Sequence, residues 1–142
     1  MHKKNGRSPE KTSSGGLKGR IWIDGAEGTF LGYGRIVLLE RIKEYGSITQ
    51  AAKSMKMSYR RAWELVESMN SQSPKRLVEA STGGKGGGGA VLTDAGEDAV
   101  KLFWRFYDNF QKFLKREGGK LSFDKKSCYV KNLKQKNGGS YV

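Results

Sequence analysis

Apolar and polar positions alternate one for one over residues 17–24, LKGRIWID, with Leu17, Gly19, Ile21 and Ile23 on one side and Lys18, Arg20, Trp22 and Asp24 on the other. A period of two predicts a strand, and the turn residues DGAEG end it. The short run TFLG that follows predicts a second extended piece paired with the first. From residue 34 the period lengthens. In GRIVLLERIKEYG, Ile36, Leu39 and Ile42, joined by Leu38 and Tyr45, recur at helical spacing, and Gly46 supplies a stop. Ser47 and Gln50 have the spacing of a capping box, so a short second helix starts at Ser47 and lasts about two turns before Met57. Its small pair Ala51 and Ala52 lets another helix approach closely. Ser58 is a second N-cap candidate and opens SYRRAWELVESMN, with Ala62, Leu65, Val66 and Met69 facing inward. Two capped helices so closely spaced predict a helix-turn-helix.

RLVEAST, residues 76–82, predicts a short strand with Leu77, Glu79 and Ser81 facing one way and Val78 and Ala80 the other; AVLT, residues 90–93, predicts a second. Between them STGGKGGGGAVLT sets six glycines around Lys85. The flanking strands are too short to be stable unless paired with each other, so the glycine run reads as the tip of a hairpin, a wing, rather than a linker. Thr93, with Asp94, Glu97 and Asp98, caps a last helix running to about Arg116. That helix carries Phe103, Trp104, Phe106, Tyr107, Phe110, Phe113 and Leu114, more apolar surface than one buried stripe needs. The expected fold is mainly α with a small β wing, a winged helix-turn-helix over residues 17–116. A disordered basic tail is expected over residues 1–16 and a basic flexible tail over residues 117–142.

Composition narrows the partner. With 142 residues the chain holds one core of ordinary size, and its 27 basic against 14 acidic side chains favour an anionic partner. The lone cysteine, Cys128, permits neither an intramolecular disulfide nor a cysteine zinc site, which fits a reducing compartment. No apolar run approaches the roughly 18 residues that span a bilayer, and the N-terminus lacks the apolar segment of a secretory signal. A cytoplasmic protein with no membrane partner is expected.

The glycine run fails as a nucleotide-binding loop, because Glu79 stands where the first glycine belongs and Gly86 where a Ser or Thr must follow Lys85. At a wing tip, Gly84 and Gly86 let backbone N–H groups reach phosphate oxygens while Lys85 supplies charge. SYRRAW is the candidate for base reading, since a recognition helix enters the major groove by its N-terminal end. An Arg pair on a helix is otherwise a solvated face, and Trp63 reads as a packing residue before a contact. The aromatic last helix admits two readings, plain core packing or a seam for a second copy through Phe106, Tyr107, Phe110 and Phe113. His2 is the single histidine, and no nucleophile, acid–base pair, metal set or cofactor motif accompanies it, so no catalytic residue, metal or cofactor is expected.

GSITQAAKSMKMSYRRAWELVESMN followed by LVEASTGGKGGGGAVLTDAG resembles the N-terminal DNA-binding domain of the ModE-type molybdate-responsive regulators, whose helix-turn-helix is distantly LysR-like. The resemblance covers about residues 17 to 114 and implies a winged helix-turn-helix that binds double-stranded DNA as a homodimer. Full-length members add an oxyanion-binding domain with a SARN-type motif; the 26 residues from Glu117 to Val142 carry none, so a regulator lacking molybdate sensing is expected. In this reading Ser58, Tyr59, Arg60 and Arg61 read bases, Thr49 and Gln50 hold phosphates, and Lys85 grips an adjacent stretch of backbone. The rival reading is a winged-helix interaction module that docks a protein partner through its aromatic helix.

Overall fold

The computed structural model describes residues 16–81, 88–123 and 128–130. They divide into two compact units, one of residues 21–107 and one of the residues up to Arg20 with those from Asp108 onward.

The larger unit opens with strands β1 (Trp22–Gly25) and β2 (Gly28–Gly32), paired antiparallel with Trp22 opposite Gly32 and a register shift between Ile23 and Asp24. Three helices follow, α1 (Tyr33–Tyr45), α2 (Ile48–Ser54) and α3 (Tyr59–Ser71). Strands β3 (Val78–Ser81) and β4 (Gly89–Leu92) pair antiparallel as the wing, and α4 (Asp94–Gly118) begins directly after them. The fold is the expected winged helix-turn-helix, mainly helical with small strand pairs.

Local chemistry explains each boundary. Gly46 ends α1 in the left-handed region at φ 68°, and its N–H donates to the Ile42 carbonyl at 2.8 Å. Ser47 caps α2 by accepting the Gln50 N–H at 3.2 Å, and Thr93 caps α4 by accepting the Gly96 N–H at 3.0 Å. Inside, Leu31, Ile36, Leu38, Leu39, Ile42, Met69 and Phe103 are completely buried, each worth about 1.5–3 kcal/mol against exposure. Tyr33, Phe103, Trp104 and Tyr107 form a ring cluster, in which Tyr33 meets Trp104 edge-on at 5.6 Å. The Trp104 indole N–H donates to the Glu40 carboxylate at 2.9 Å, giving a large apolar side chain the polar partner its burial requires.

Three details depart from the periodicity. The strand expected over residues 17–24 is confined to Trp22–Gly25. Residues 16–20 belong to the smaller unit, where Gly19 lies against the Phe110 ring and Leu114, so their apolar positions meet a helix instead of a sheet. Tyr45, at helical spacing with the core residues of α1, is 47% exposed, because α1 ends there at Gly46. Leu77 and Val78 are both buried although adjacent, since Leu77 precedes the strand and its carbonyl is taken by the Thr93 N–H at 3.0 Å.

In the smaller unit, Leu114 is buried and Phe110 stacks on Phe113 with centroids 6.2 Å apart. Strands β5 (Leu121–Phe123) and β6 (Cys128–Val130) pair antiparallel, Leu121 opposite Val130, where the sequence reading placed no element.

Candidate nucleic-acid interface

The site is built on two helix starts. At the head of α3 the extended backbone of Ser58 lets its Oγ accept the Arg61 N–H at 3.0 Å, which satisfies one free donor of the first turn. Ala62, Leu65, Val66, Met69 and Asn70 anchor the inward face of the helix. With that face committed, Tyr59, Arg60 and Arg61 project into solvent from a single turn. Arg60 has a side chain 87% exposed and reaches Glu64 one turn on, Nε to Oε2 at 3.3 Å. An exposed pair of this kind holds by well under about 1 kcal/mol, so it releases Arg60 to a ligand at little cost. Among the described residues Arg61 has no ion-pair partner. Trp63, read from the sequence as packing, is 46% exposed; it shares a flank of α3 with Tyr59, outside the stripe that the core residues occupy.

α2 places Thr49 and Gln50 exposed in its first turn. It is tied to α1 by Arg41, whose Nη1 donates to Ser54 Oγ at 2.8 Å. The turn into α3 closes with the Met57 N–H donating to the Ala52 carbonyl at 3.0 Å and the Lys56 N–H to the Lys53 carbonyl at 3.1 Å. This double closure forces the residue between into the left-handed region, and Lys56 adopts φ 56° there, the single positive-φ residue other than glycine among those described.

The wing is fixed from two sides. The Ala90 N–H donates to the Gly46 carbonyl at 3.0 Å, joining β4 to the end of α1. Asn70, buried on α3, accepts the N–H groups of Leu77 at 2.7 Å and Val78 at 3.2 Å, and its Nδ2 donates to the Val78 carbonyl at 3.2 Å. Sequence reasoning missed Asn70, which looks like an ordinary polar position near a helix end. It also missed Arg35 of α1, whose Nη1 donates to Ser68 Oγ of α3 at 2.9 Å. Only the tertiary approach of α1 to α3 makes that contact, so no local pattern signals it. Gly84, Lys85 and Gly86 lie outside the described residues.

Of the residues expected to meet a second copy, Phe106 and Phe113 are 44% and 43% exposed, each with a guanidinium over its ring, Arg105 and Arg116 respectively. Tyr107 is half-buried among Tyr33, Phe103 and Trp104, and Phe110 is half-buried. Leu102, 38% exposed and one turn before Phe106, adds to the open apolar face. Among the described residues no helix is long and apolar enough to cross a membrane, and no group of three or more His, Cys, Asp or Glu could hold a metal ion.

Two capped helices, a buried bracing face and a paired-strand wing define a winged helix-turn-helix domain. Residues 34–97 match the family described as bacterial regulatory helix-turn-helix protein, lysR family, and carry its helix-turn-helix domain. The chain is also 49% identical over 69 residues to the transcriptional regulator ModE of Haemophilus influenzae, a match covering 49% of this chain and 27% of that protein. It is 51% identical over 69 residues to the DNA-binding transcriptional dual regulator ModE of Escherichia coli K12, covering 49% and 26%. With the molybdenum transport protein ModE of Azotobacter vinelandii it shares 39% identity over 103 residues, covering 72% and 38%. The matched stretch thus spans between about a quarter and two fifths of these relatives' length.

Proposed function

We propose that this chain is a sequence-specific DNA-binding transcriptional regulator that inserts the N-terminal end of α3 into the major groove of double-stranded DNA. The observation that carries the reading is the Ser58-capped turn, which presents Tyr59, Arg60 and Arg61 to solvent while the rest of α3 is braced on the core. The names of the ModE relatives support the same reading. Tyr59, Arg60 and Arg61 face the groove floor and wall, Ser58 sets the approach, and Thr49 and Gln50 meet the phosphates that α2 crosses. Lys85 between Gly84 and Gly86 meets a neighbouring backbone from the wing. The formal charge of +13 supplies the long-range attraction to a polyanion. The role is binding rather than catalysis, carried out in the cytoplasm.

A homodimer completes the proposal. One recognition helix reads few base pairs, whereas two related by a two-fold axis read half-sites about 34–36 Å apart or multiples of this. Leu102 and Phe106, one turn apart on α4, share an exposed face, and Tyr107, Phe110 and Phe113 follow along the same helix. Two copies of this face pack as a seam. The reading is tested by selecting bound duplexes from a random DNA pool. Enrichment of an inverted repeat is the expected result, and a pool that stays random after repeated rounds would overturn it.

A further inference from the structure

Arg35 lies in the first turns of α1 and is half-buried, yet among the described residues it makes no ion pair. Its guanidinium donates to Ser68 Oγ at 2.9 Å, and Ser68 is itself held by Gln72, whose Nε2 donates to the Ser68 hydroxyl and to the Ser68 carbonyl, each at 3.3 Å. Gln72 is fixed in turn by the β1–β2 turn, accepting the Glu27 N–H at 3.1 Å and donating to the Thr29 carbonyl at 3.0 Å. Arg35 is therefore positioned by a chain of hydrogen bonds and is not a side chain left free in solvent. Ser68 stands seven residues after Arg61 and so on the same face of α3. That places the two guanidinium groups on one edge of the domain.

Burial and, after it, the neighbouring Arg61 charge hold the Arg35 guanidinium below its ordinary range. On α3 Arg60 pairs with Glu64, and Glu67 with Arg76, whereas neither Arg35 nor Arg61 makes an ion pair among the described residues. Arg35 and Arg61 are close enough for the charge of one to act on the other, and the carboxylate between them on this face of α3, Glu64, is engaged by Arg60, an arrangement that an added anion relieves.

We propose that Arg35 and Arg61 together form a phosphate-binding site on the α1–α3 edge, which grips one phosphodiester of the DNA backbone beside the groove that α3 enters. The inference rests on the proposed insertion of α3 and refines it, assigning Arg61 to the backbone and leaving Tyr59 and Arg60 for the bases. Two planar forks converging on one phosphate give bidentate, charge-assisted contacts that a lysine does not reproduce.

The test measures affinity for a selected duplex and for an unrelated duplex, by fluorescence anisotropy across a series of salt concentrations, for the wild-type chain and for Arg35→Ala, Arg35→Lys and Ser68→Ala. Arg35→Ala is expected to weaken both duplexes by the same factor, about tenfold, the equivalent of one charge-assisted hydrogen bond. It should also reduce the slope of log K against log salt by about 0.9, the mark of one phosphate lost. Arg35→Lys and Ser68→Ala keep the charge and should keep the slope while losing part of the affinity. Unfolding curves of every variant separate binding from stability. A slope unchanged in a folded Arg35→Ala, or a loss confined to the selected duplex, overturns this site while leaving DNA binding intact. Wild-type protein that binds neither duplex overturns the reading beneath it.

Discussion

Removing the Asn70 side chain should destabilise the larger unit far more than its single buried amide suggests. In Asn70→Ala the N–H groups of Leu77 and Val78 lose the acceptor that takes them at 2.7 and 3.2 Å, and the Val78 carbonyl loses a donor at 3.2 Å. Both residues are at most 3% exposed, so water does not replace the lost partner without opening the fold. A buried donor left unsatisfied costs about 1–3 kcal/mol, and two of them with a partial cavity put the loss at about 3–5 kcal/mol. Total stabilities of domains this size are about 5–15 kcal/mol, so the variant sits near the edge of folding. Asn70→Leu fills the volume without restoring any hydrogen bond, and should lose nearly as much. Urea unfolding of the three proteins, with slopes compared to check that each unfolds as one unit, gives the differences directly. A loss below about 1 kcal/mol in Asn70→Ala, or a rescue by Asn70→Leu, would refute the assignment of Asn70 as the polar tie between α3 and the wing.

Other expectations follow from single positions. Lys56→Gly relieves the left-handed backbone at φ 56° and should raise stability by about 1 kcal/mol in the same unfolding assay; a loss would mean that the Lys56 side chain stabilises the turn. Gly96→Ala has the opposite sign from helix propensity, because an added Cβ collides with the Leu77 carbonyl oxygen, itself held by the Thr93 N–H, and a loss of about 2 kcal/mol is expected by thermal or urea unfolding. Leu102→Glu with Phe106→Glu should give a folded monomer by sedimentation, whereas a double variant that stays dimeric places the interface elsewhere. Lys85→Ala should weaken binding to all duplexes alike and lower the salt slope by about one unit; an unchanged slope removes the wing lysine from the backbone.

The parts legible in the sequence are those whose physics is local. The caps at Ser47, Ser58 and Thr93 each join a side chain to an N–H three residues on, and Gly46 ends α1 by its own backbone conformation, so spacing and residue type suffice to place them. The inward faces of α1 and α3 follow for the same reason, through a period that the chain carries within itself. What spacing does not reveal is which faces meet. The alternation over residues 17–21 is a good strand pattern that finds no strand partner, and Gly19 lies instead against Phe110, 91 positions later. Trp63 looks like a core residue by type, yet the inward stripe of α3 is filled by Ala62, Leu65, Val66 and Met69, and the indole falls outside it. Arg35 and Asn70 act through contacts made only once α1, α3 and the wing have assembled, and no motif announces either. In the candidate site the head of α3 was readable and its supporting edge was not.

Reading of the major groove of duplex DNA by α3 is checked by dimethyl sulfate footprinting on a selected duplex. This reagent methylates guanine at N7, an atom in the major groove, and the same groove edge is where an arginine contacts that base. Guanines are expected to be protected in two clusters, centred about 10–10.5 base pairs or a multiple of this apart, with protection within the clusters weakened in Arg60→Ala. Tight binding with no N7 protection, or protection unaltered by removing the Arg60 side chain, would contradict groove reading by α3.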